Sequence, residues 1–331
     1  DGVAASPSVA VTSEVTANDR VDTYRWTASL VTQPEITLEI IASTEAGAWD
    51  RTTRTISRLI DPNTKVHKPR LHLLAVGVGS YRDPQIQSLD FAARGATEVY
   101  DILAKRTSQL YQFDGIKLLD HEAIRPLWNA YSQEAIQRLA TEVRADDLVV
   151  MYLCGHGLRD RATGRWYFVT ADARHSDLMN DRFTDCLAFE DLAVLSSLPC
   201  RKLAILDSCH SGAIQPVMET GDLKSALRWL QEDRILTLTA SEGHEEAAEQ
   251  KEVGLGRFTS RLIEAFEGAA DTAGNRDGVV SLSETVDFVR NALEEDSRRD
   301  GFIQRPTAGP MDLLQSIHLP LTATLAKPES R

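Results

Sequence analysis

His156 stands between two glycines at the end of the apolar run "VVMYLCGHG", and Cys209 closes a second such run, "LAILDSCHSG", just after Asp207 and Ser208. A thiol attacks only as thiolate, and a neighbouring imidazole either takes its proton or, as imidazolium, lowers its pKa from about 8.5. The two side chains together suffice for acyl transfer. The backbone N–H groups of Gly157 and Cys209 are candidate donors to a developing oxyanion, and Gly155 and Gly157 let the backbone approach a bound chain. Taken singly, each residue has an ordinary use: a strand-end cysteine is a small buried hydrophobe, and a lone histidine a hydrogen-bonded structural residue. Both at strand ends, in one chain, carry more weight than either alone. Cys154, two residues before His156, reads as strand packing, and His210, next along the chain from Cys209, should point away from it.

For the pair to meet, the two runs must lie side by side with their carboxyl ends opening on the same crevice. The surrounding pattern supplies such a sheet. Apolar strands at 71–79 ("LHLLAVGVG"), 114–120 ("DGIKLLD"), 147–157, 165–173, 201–209 and 234–241 are separated by helical periodicity at about 88–103, 132–144 and 189–197, with further helices at 257–269 and 282–295. Near-continuous apolar strands spaced by helices predict an α/β fold: a mostly parallel sheet with helices on both faces. Ahead of it, residues 1–62 alternate in strand fashion ("VAVTSEV", "DTYRWTASLV", "ITLEIIAS", "DRTTRTISRLI"), which predicts a small β-rich unit. It has fewer strands than an immunoglobulin sandwich, so a partial Ig-like unit is expected, a candidate surface for a protein partner. Residues 63–70 read as a linker, 71–318 as the α/β domain, and 319–331 as a disordered tail.

Composition narrows the function classes. The 331 residues, 42% hydrophobic and 26% charged, suffice for a sizeable core, and a net charge of −13 opposes binding to nucleic acid or anionic membranes. No run is long and apolar enough for a membrane span, and no signal peptide is visible. Cys154, Cys186, Cys200 and Cys209 form no CxxC pair, which predicts free thiols in a reducing, cytoplasmic setting. The chain begins at Asp1 without Met, as expected of a processed product or an excised piece.

"YLCGHG" and "LDSCHSG" resemble the two catalytic signatures of the caspase-like cysteine peptidases, closest to the metacaspase and bacterial orthocaspase branch, with His156 the roughly 50 residues upstream of Cys209 that the caspase pattern has. "LLAVGVGSYRDPQIQSLDFAARGATEVYDIL" and "GRFTSRLIEAFEG" resemble the first strand–helix unit and the C-terminal helix of bacterial members. The resemblance covers about 70 to 310. It implies a caspase-like fold, His156 as general base and acid, Cys209 as nucleophile, no proton-transfer role for His210, and no required cofactor. It also implies that Asp207 lines the primary specificity pocket, where caspases carry Gln, and that the substrates are proteins cut after Arg or Lys. A carboxylate on the floor of a dry pocket favours a cation and penalises an acid. Alternatively, Asp207 orients its loop by accepting backbone N–H groups.

The branch usually carries a second pocket Asp at the start of the first helix, and the simplest alignment puts Arg94-Gly95 there. A shifted register would bring Glu98 into that role, and an inward Arg94 would instead favour an acidic residue. Related enzymes are often cut between the nucleophile's strand and the next, which makes Lys224, Arg228 and Arg234 candidate self-cleavage points. The loop "DTAGNRDGVVSLSE" puts Asn275, Asp277 and Glu284 at calcium-ligand spacing around Gly278 but leaves Ala273 at the first ligand position, so a plain turn competes with a calcium loop. The expectation is a cysteine endopeptidase cutting proteins, and itself, after a basic residue. Acidic or relaxed specificity and a non-catalytic scaffold are the competing readings, the last opposed by the intact His156 and Cys209.

Overall fold

The computed structural model describes residues 68–126, 142–160, 162–163, 165–210, 235–240, 254–311, 314 and 318–324, together with the backbone of the strands within 10–57 and at 249–250; the side chains at 159, 189–190, 193–194 and 208–210 fall outside that description. The chain divides into one compact unit of Asp1–Lys68 with Ser316–His318, and a second of Pro69–Gln315 with Leu319–Arg331. In the first, β1 (Ala10–Thr16) pairs with β2 (Asp19–Arg25) and β3 (Glu35–Ser43) with β4 (Trp49–Ser57), each an antiparallel two-stranded sheet. Alternating Thr, Val and Ile favour such pairs.

In the second unit β5 (Arg70–Gly77) leads through α1 (Ala92–Arg106) to β6 (Gln112–Leu119), and then come β7 (Leu148–Arg159), β8 (Trp166–Val169), β9 (Cys186–Ala188), β10 (Arg201–His210) and β11 (Leu236–Thr239). A short β12 (Glu249–Gln250) and β13 (Leu255–Gly256) precede α2 (Arg257–Glu264), and β14 (Val279–Ser281) precedes α3 (Leu282–Asp300), β15 (Thr307–Gly309) and β16 (Pro320–Ala323). The main sheet runs β15-β11-β10-β7-β5-β6, parallel throughout except for β15 at its edge. Because β6 lies on one side of β5 and all later strands on the other, the direction of strand addition reverses between β5 and β7. A crevice opens at the carboxyl ends of strands at such a reversal.

The central strands are buried on both faces, as their unbroken apolar runs require: Leu153, Leu206 and Phe168 share one core, while Tyr152 and Ile205 face the other way. α1 lies directly on β5 because Gly77 has no side chain; a Cβ there would come within 2.6 Å of the Ala92 carbonyl. Ser281 and Glu284 form a reciprocal capping box that starts α3, and Gly301, at φ 78°, ends it.

Three expectations change. The 165–173 strand is shorter and antiparallel: β7 runs on past the main sheet to pair with β8, which pairs with β9. The 189–197 helix is 3-10 rather than α. The tail is not disordered from 319, since β16 pairs with β14, Leu321 is buried, and Thr322 donates to the Phe266 carbonyl at 2.9 Å. That carbonyl lies in a wide helical turn, Ala265–Ala269, which opens around Gly268 and leaves groups for a short strand to satisfy. The expected helix at 132–144 lies mostly outside the described residues. No described helix is long and apolar enough to cross a membrane.

Candidate active site

Parallel pairing of β10 with β7 sets Cys209 opposite His156 and His210 opposite Gly157. β5 stops pairing with β7 at Cys154, so His156 stands just beyond the end of β5, at the reversal crevice. The Cys209 and His210 side chains lie outside the described residues; the backbone register is what brings position 209 beside the histidine.

His156 is buried, with Nε2 2.7 Å from the backbone carbonyl of Gln87. A carbonyl only accepts, so Nε2 carries the proton and Nδ1 the lone pair. Nδ1 is buried and has no hydrogen-bond partner among the described residues. Burial holds the imidazole below its ordinary pKa of 6.5, with the Gln87 bond in partial opposition. At neutral pH the ring is therefore a free base whose basic nitrogen has no partner among the described residues.

Tyr81 fixes the ring's plane. It stacks on His156 at 5.2 Å between centroids and 16° between planes, and its hydroxyl accepts from the His156 N–H at 3.1 Å and donates to the Val78 carbonyl at 3.3 Å. The segment carrying Tyr81 and Gln87 is pinned by two carboxylates. Asp120 Oδ1 accepts from the N–H groups of Gly79 and Ser80 at 2.8 and 2.9 Å, and Asp83 accepts from Gln85 and His175 at 3.0 and 2.8 Å. Tyr81→Phe keeps the stack and should cost only a few-fold in activity. Tyr81→Leu removes the stack and admits water; peptide cleavage should fall about tenfold (about 1.4 kcal/mol), and the acid limb of the pH–rate profile should move up toward 6.5. Steady-state kinetics across pH check both.

Asp207 is buried on β10. Thr259 Oγ1 donates to its Oδ2, and the Tyr152 hydroxyl lies 2.5 Å from Thr259 Oγ1. Burial pushes the carboxyl up to about 6, against the lowering effect of the Thr259 hydrogen bond and, beside it, of Cys154 and the Tyr152 hydroxyl. None of the ion pairs among the described residues involves it. Gly95 faces this cluster, since a Cβ there would stand 3.4 Å from both the Tyr152 hydroxyl and the Thr259 methyl; one on Gly256 would stand 3.4 Å from Asp207 Oδ2.

Glu98 is therefore corrected as a pocket residue. Gly95, Ala96 and Val99 form the inward stripe of α1, while Arg94 and Glu98, one turn apart, face each other on the outer side at 3.8 Å, about half exposed. The Arg94 guanidinium lies against Gly254, where a Cβ would be 2.2 Å from Nη1. The glycines flanking His156 have a packing use that was not expected: Cβ atoms on Gly155 and Gly157 would stand 2.9 and 1.5 Å from the rings of Phe168 and Trp166. They admit aromatic side chains against β7.

Other sequence candidates are not drawn together. In the 271–284 loop, Glu284 accepts from the Ser281 and Asn275 N–H groups, Asn275 Oδ1 from the Asp277 N–H and Asp277 Oδ1 from the Val279 N–H. Their oxygens are spent on the turn that starts α3, and no group of three or more His, Cys, Asp or Glu among the described residues could hold a metal ion. Lys224, Arg228 and Arg234 lie outside the described residues. Cys154, Cys186 and Cys200 are buried thiols outside any disulfide; burial pushes the Cys186 and Cys200 thiols up to about 12 and about 11, far from reactive thiolates. The Gln87 carbonyl, Tyr81, Tyr152 and Thr259 were not read from the sequence, although a tyrosine inside "VVMYLC" signals a buried hydroxyl in need of a partner.

A parallel sheet with one antiparallel edge, a Gly-His-Gly strand and an Asp-Ser-Cys strand paired at its reversal, define a caspase-like α/β class. A model of the caspase domain matches residues 109–315, and the chain belongs to that family of cysteine peptidases. Protein GSU0716 from Geobacter sulfurreducens is similar in fold, with a TM-score of 0.50 and 18% identity over 78% of this chain and 100% of that one. Also similar are pro-sf-caspase-1 (TM-score 0.45, 12% identity, 76% and 97% covered) and caspase-1 from Spodoptera frugiperda (TM-score 0.41, 11% identity, 80% and 92% covered). No curated protein matches the chain by sequence.

Proposed function

We propose that the chain is a cysteine endopeptidase in which His156 takes the proton of Cys209, the thiolate attacks a peptide carbonyl, and the imidazolium then protonates the leaving amine. The observation that carries this is the opposition of Cys209 to His156 in the backbone register, together with a histidine whose Nε2 is tied to Gln87 and whose Nδ1 has no partner among the described residues. The N–H groups of Gly157 and Cys209 receive the oxyanion in this reading.

The residue cut after is Arg or Lys. A buried carboxylate with no cation among the described residues, flanked by Gly95 and Gly256, lacks a positive partner that a basic side chain supplies. The same preference accords with the metacaspase and orthocaspase branch that "LDSCHSG" resembles. Self-cleavage within 213–234, at Lys224, Arg228 or Arg234, follows from that specificity, and buried thiols outside any disulfide accord with a reducing cytoplasm.

Fluorogenic peptides ending in Arg, Lys or Asp, offered to the wild type and to Cys209→Ala, test this reading. Release after Arg and Lys by the wild type alone is expected. Release after Asp alone would overturn the basic preference and move attention to Arg94; no release from any peptide would overturn the enzyme.

A further inference from the structure

Tyr152, Thr259 and Asp207 come from three elements, β7, α2 and β10, and their relative exposures are 0, 1 and 4%. Counting protons fixes the direction of the chain they form. An ionised carboxylate only accepts, so Thr259 spends its single hydroxyl proton on Asp207; the 2.5 Å contact to Tyr152 must then be donated by the phenol. Burial holds that phenol protonated, well above its ordinary pKa. When Asp207 is neutral the chain can run backward: Asp207 donates to Thr259, Thr259 to Tyr152, and the phenol proton turns toward Cys154, whose sulfur is a weak acceptor. The relay thus has two polarities, and only the one that ends on a carboxylate can receive a cation.

We propose that Thr259 is a specificity-determining positioning residue of the pocket: its hydroxyl, oriented by Tyr152, aims the Asp207 carboxylate and keeps it ionised to receive a guanidinium or ammonium side chain. This rests on reading Asp207 as the pocket's acid. Among the described residues, the groups around Asp207 leave the task to the hydroxyls. β7 contributes Tyr152 and Cys154, α2 contributes Thr259, and α1 and β13 contribute glycines. Two described cations nearby are committed: Arg257 bonds Asp300 at 2.5 Å and the Phe302 carbonyl at 3.2 Å, and Arg94 lies against Gly254 beside Glu98. With burial pushing Asp207 up to about 6, little separates the useful form from the useless one at working pH.

The test compares two peptides that differ only in the residue before the cut, arginine or its neutral isostere citrulline, across pH. His156 and Cys209 act equally on both, so the ratio of their kcat/KM values isolates Asp207. In the wild type the ratio should rise with pH about a midpoint near 6. Thr259→Val should lower the ratio at neutral pH about tenfold, through KM rather than kcat, and raise the midpoint by about one pH unit. Thr259→Ser should restore both, and Tyr152→Phe should shift them the same way by less. A Thr259→Val enzyme that loses both peptides equally, keeps the wild-type ratio, or is not rescued by serine overturns the inference; if that variant does not fold, an unchanged ratio in Tyr152→Phe does so. Asp207→Asn keeps the two failures apart. A ratio collapsed to about 1 in that variant with no effect of Thr259 sinks this inference alone, whereas a ratio intact in that variant sinks the pocket reading beneath it.

Discussion

Peptide cleavage by His156→Ala or Cys209→Ala is expected to fall by about a thousandfold or more, with the double variant no worse than either single one, because in the proposed mechanism the two groups perform one step as a unit. The thiol in the absence of a base is mostly protonated at neutral pH, and the leaving amine lacks its acid. Steady-state kinetics on an arginine peptide check the losses, and a thermal melt separates them from unfolding. The pH dependence has a definite sign. Burial lowers the His156 pKa, so the base stays unprotonated below pH 6.5 and the acid limb of the wild type should lie under that value. An acid limb above 6.5 on a peptide with a neutral residue before the cut would mean that the imidazole is more exposed to water than its burial against Tyr81 implies.

Asp207→Asn should cost about a hundredfold in cleavage after arginine, the scale of removing one partner from a buried charge pair. It should at the same time stabilise the free enzyme. The carboxyl titrates near 6 in the fold against 3.8 unfolded, so its contribution to stability is complete below about pH 4 and is lost as pH rises through 6. At neutral pH, keeping it ionised costs up to about 3 kcal/mol, which a neutral amide escapes in part. Thermal melts of wild type and variant at pH 7.5 and pH 4 should show the gain at the higher pH only; a variant that melts lower than wild type at pH 7.5 contradicts this account of Asp207. Activity and stability moving in opposite directions is the expected mark of a group retained for its ligand.

The parallel sheet was legible because a strand buried on both faces has to be apolar throughout, and β5, β7 and β10 are. The positions of His156 and Cys209 were legible for the complementary reason: polar residues at the ends of such strands have no structural need to be there. Gly95 against Glu98 could have been settled by helical period alone, since Arg94 and Glu98 share the polar stripe that Ala92, Ala96 and Val99 oppose. The Gln87 carbonyl could not, because every residue carries one and only the path of the chain brings this one to Nε2. Thr259 was equally silent: a threonine in the first turn of a helix is ordinary until β10 places a carboxylate under it. β9 and β16 are too short for periodicity to register, and the antiparallel pairing of β8, β9 and β16 depends on how far β7 runs and on the carbonyls left by the wide turn at Ala265–Ala269.

Alkylation by a peptidyl-arginine chloromethyl ketone, with the adduct mapped by mass spectrometry, tests the central claim most directly, because the reagent needs both the pocket and an activated thiol. One adduct per chain, on Cys209, formed rapidly by the wild type and far more slowly by His156→Ala, is the predicted result. An adduct on Cys154, Cys186 or Cys200, or labelling of Cys209 that is indifferent to the loss of His156, would contradict it.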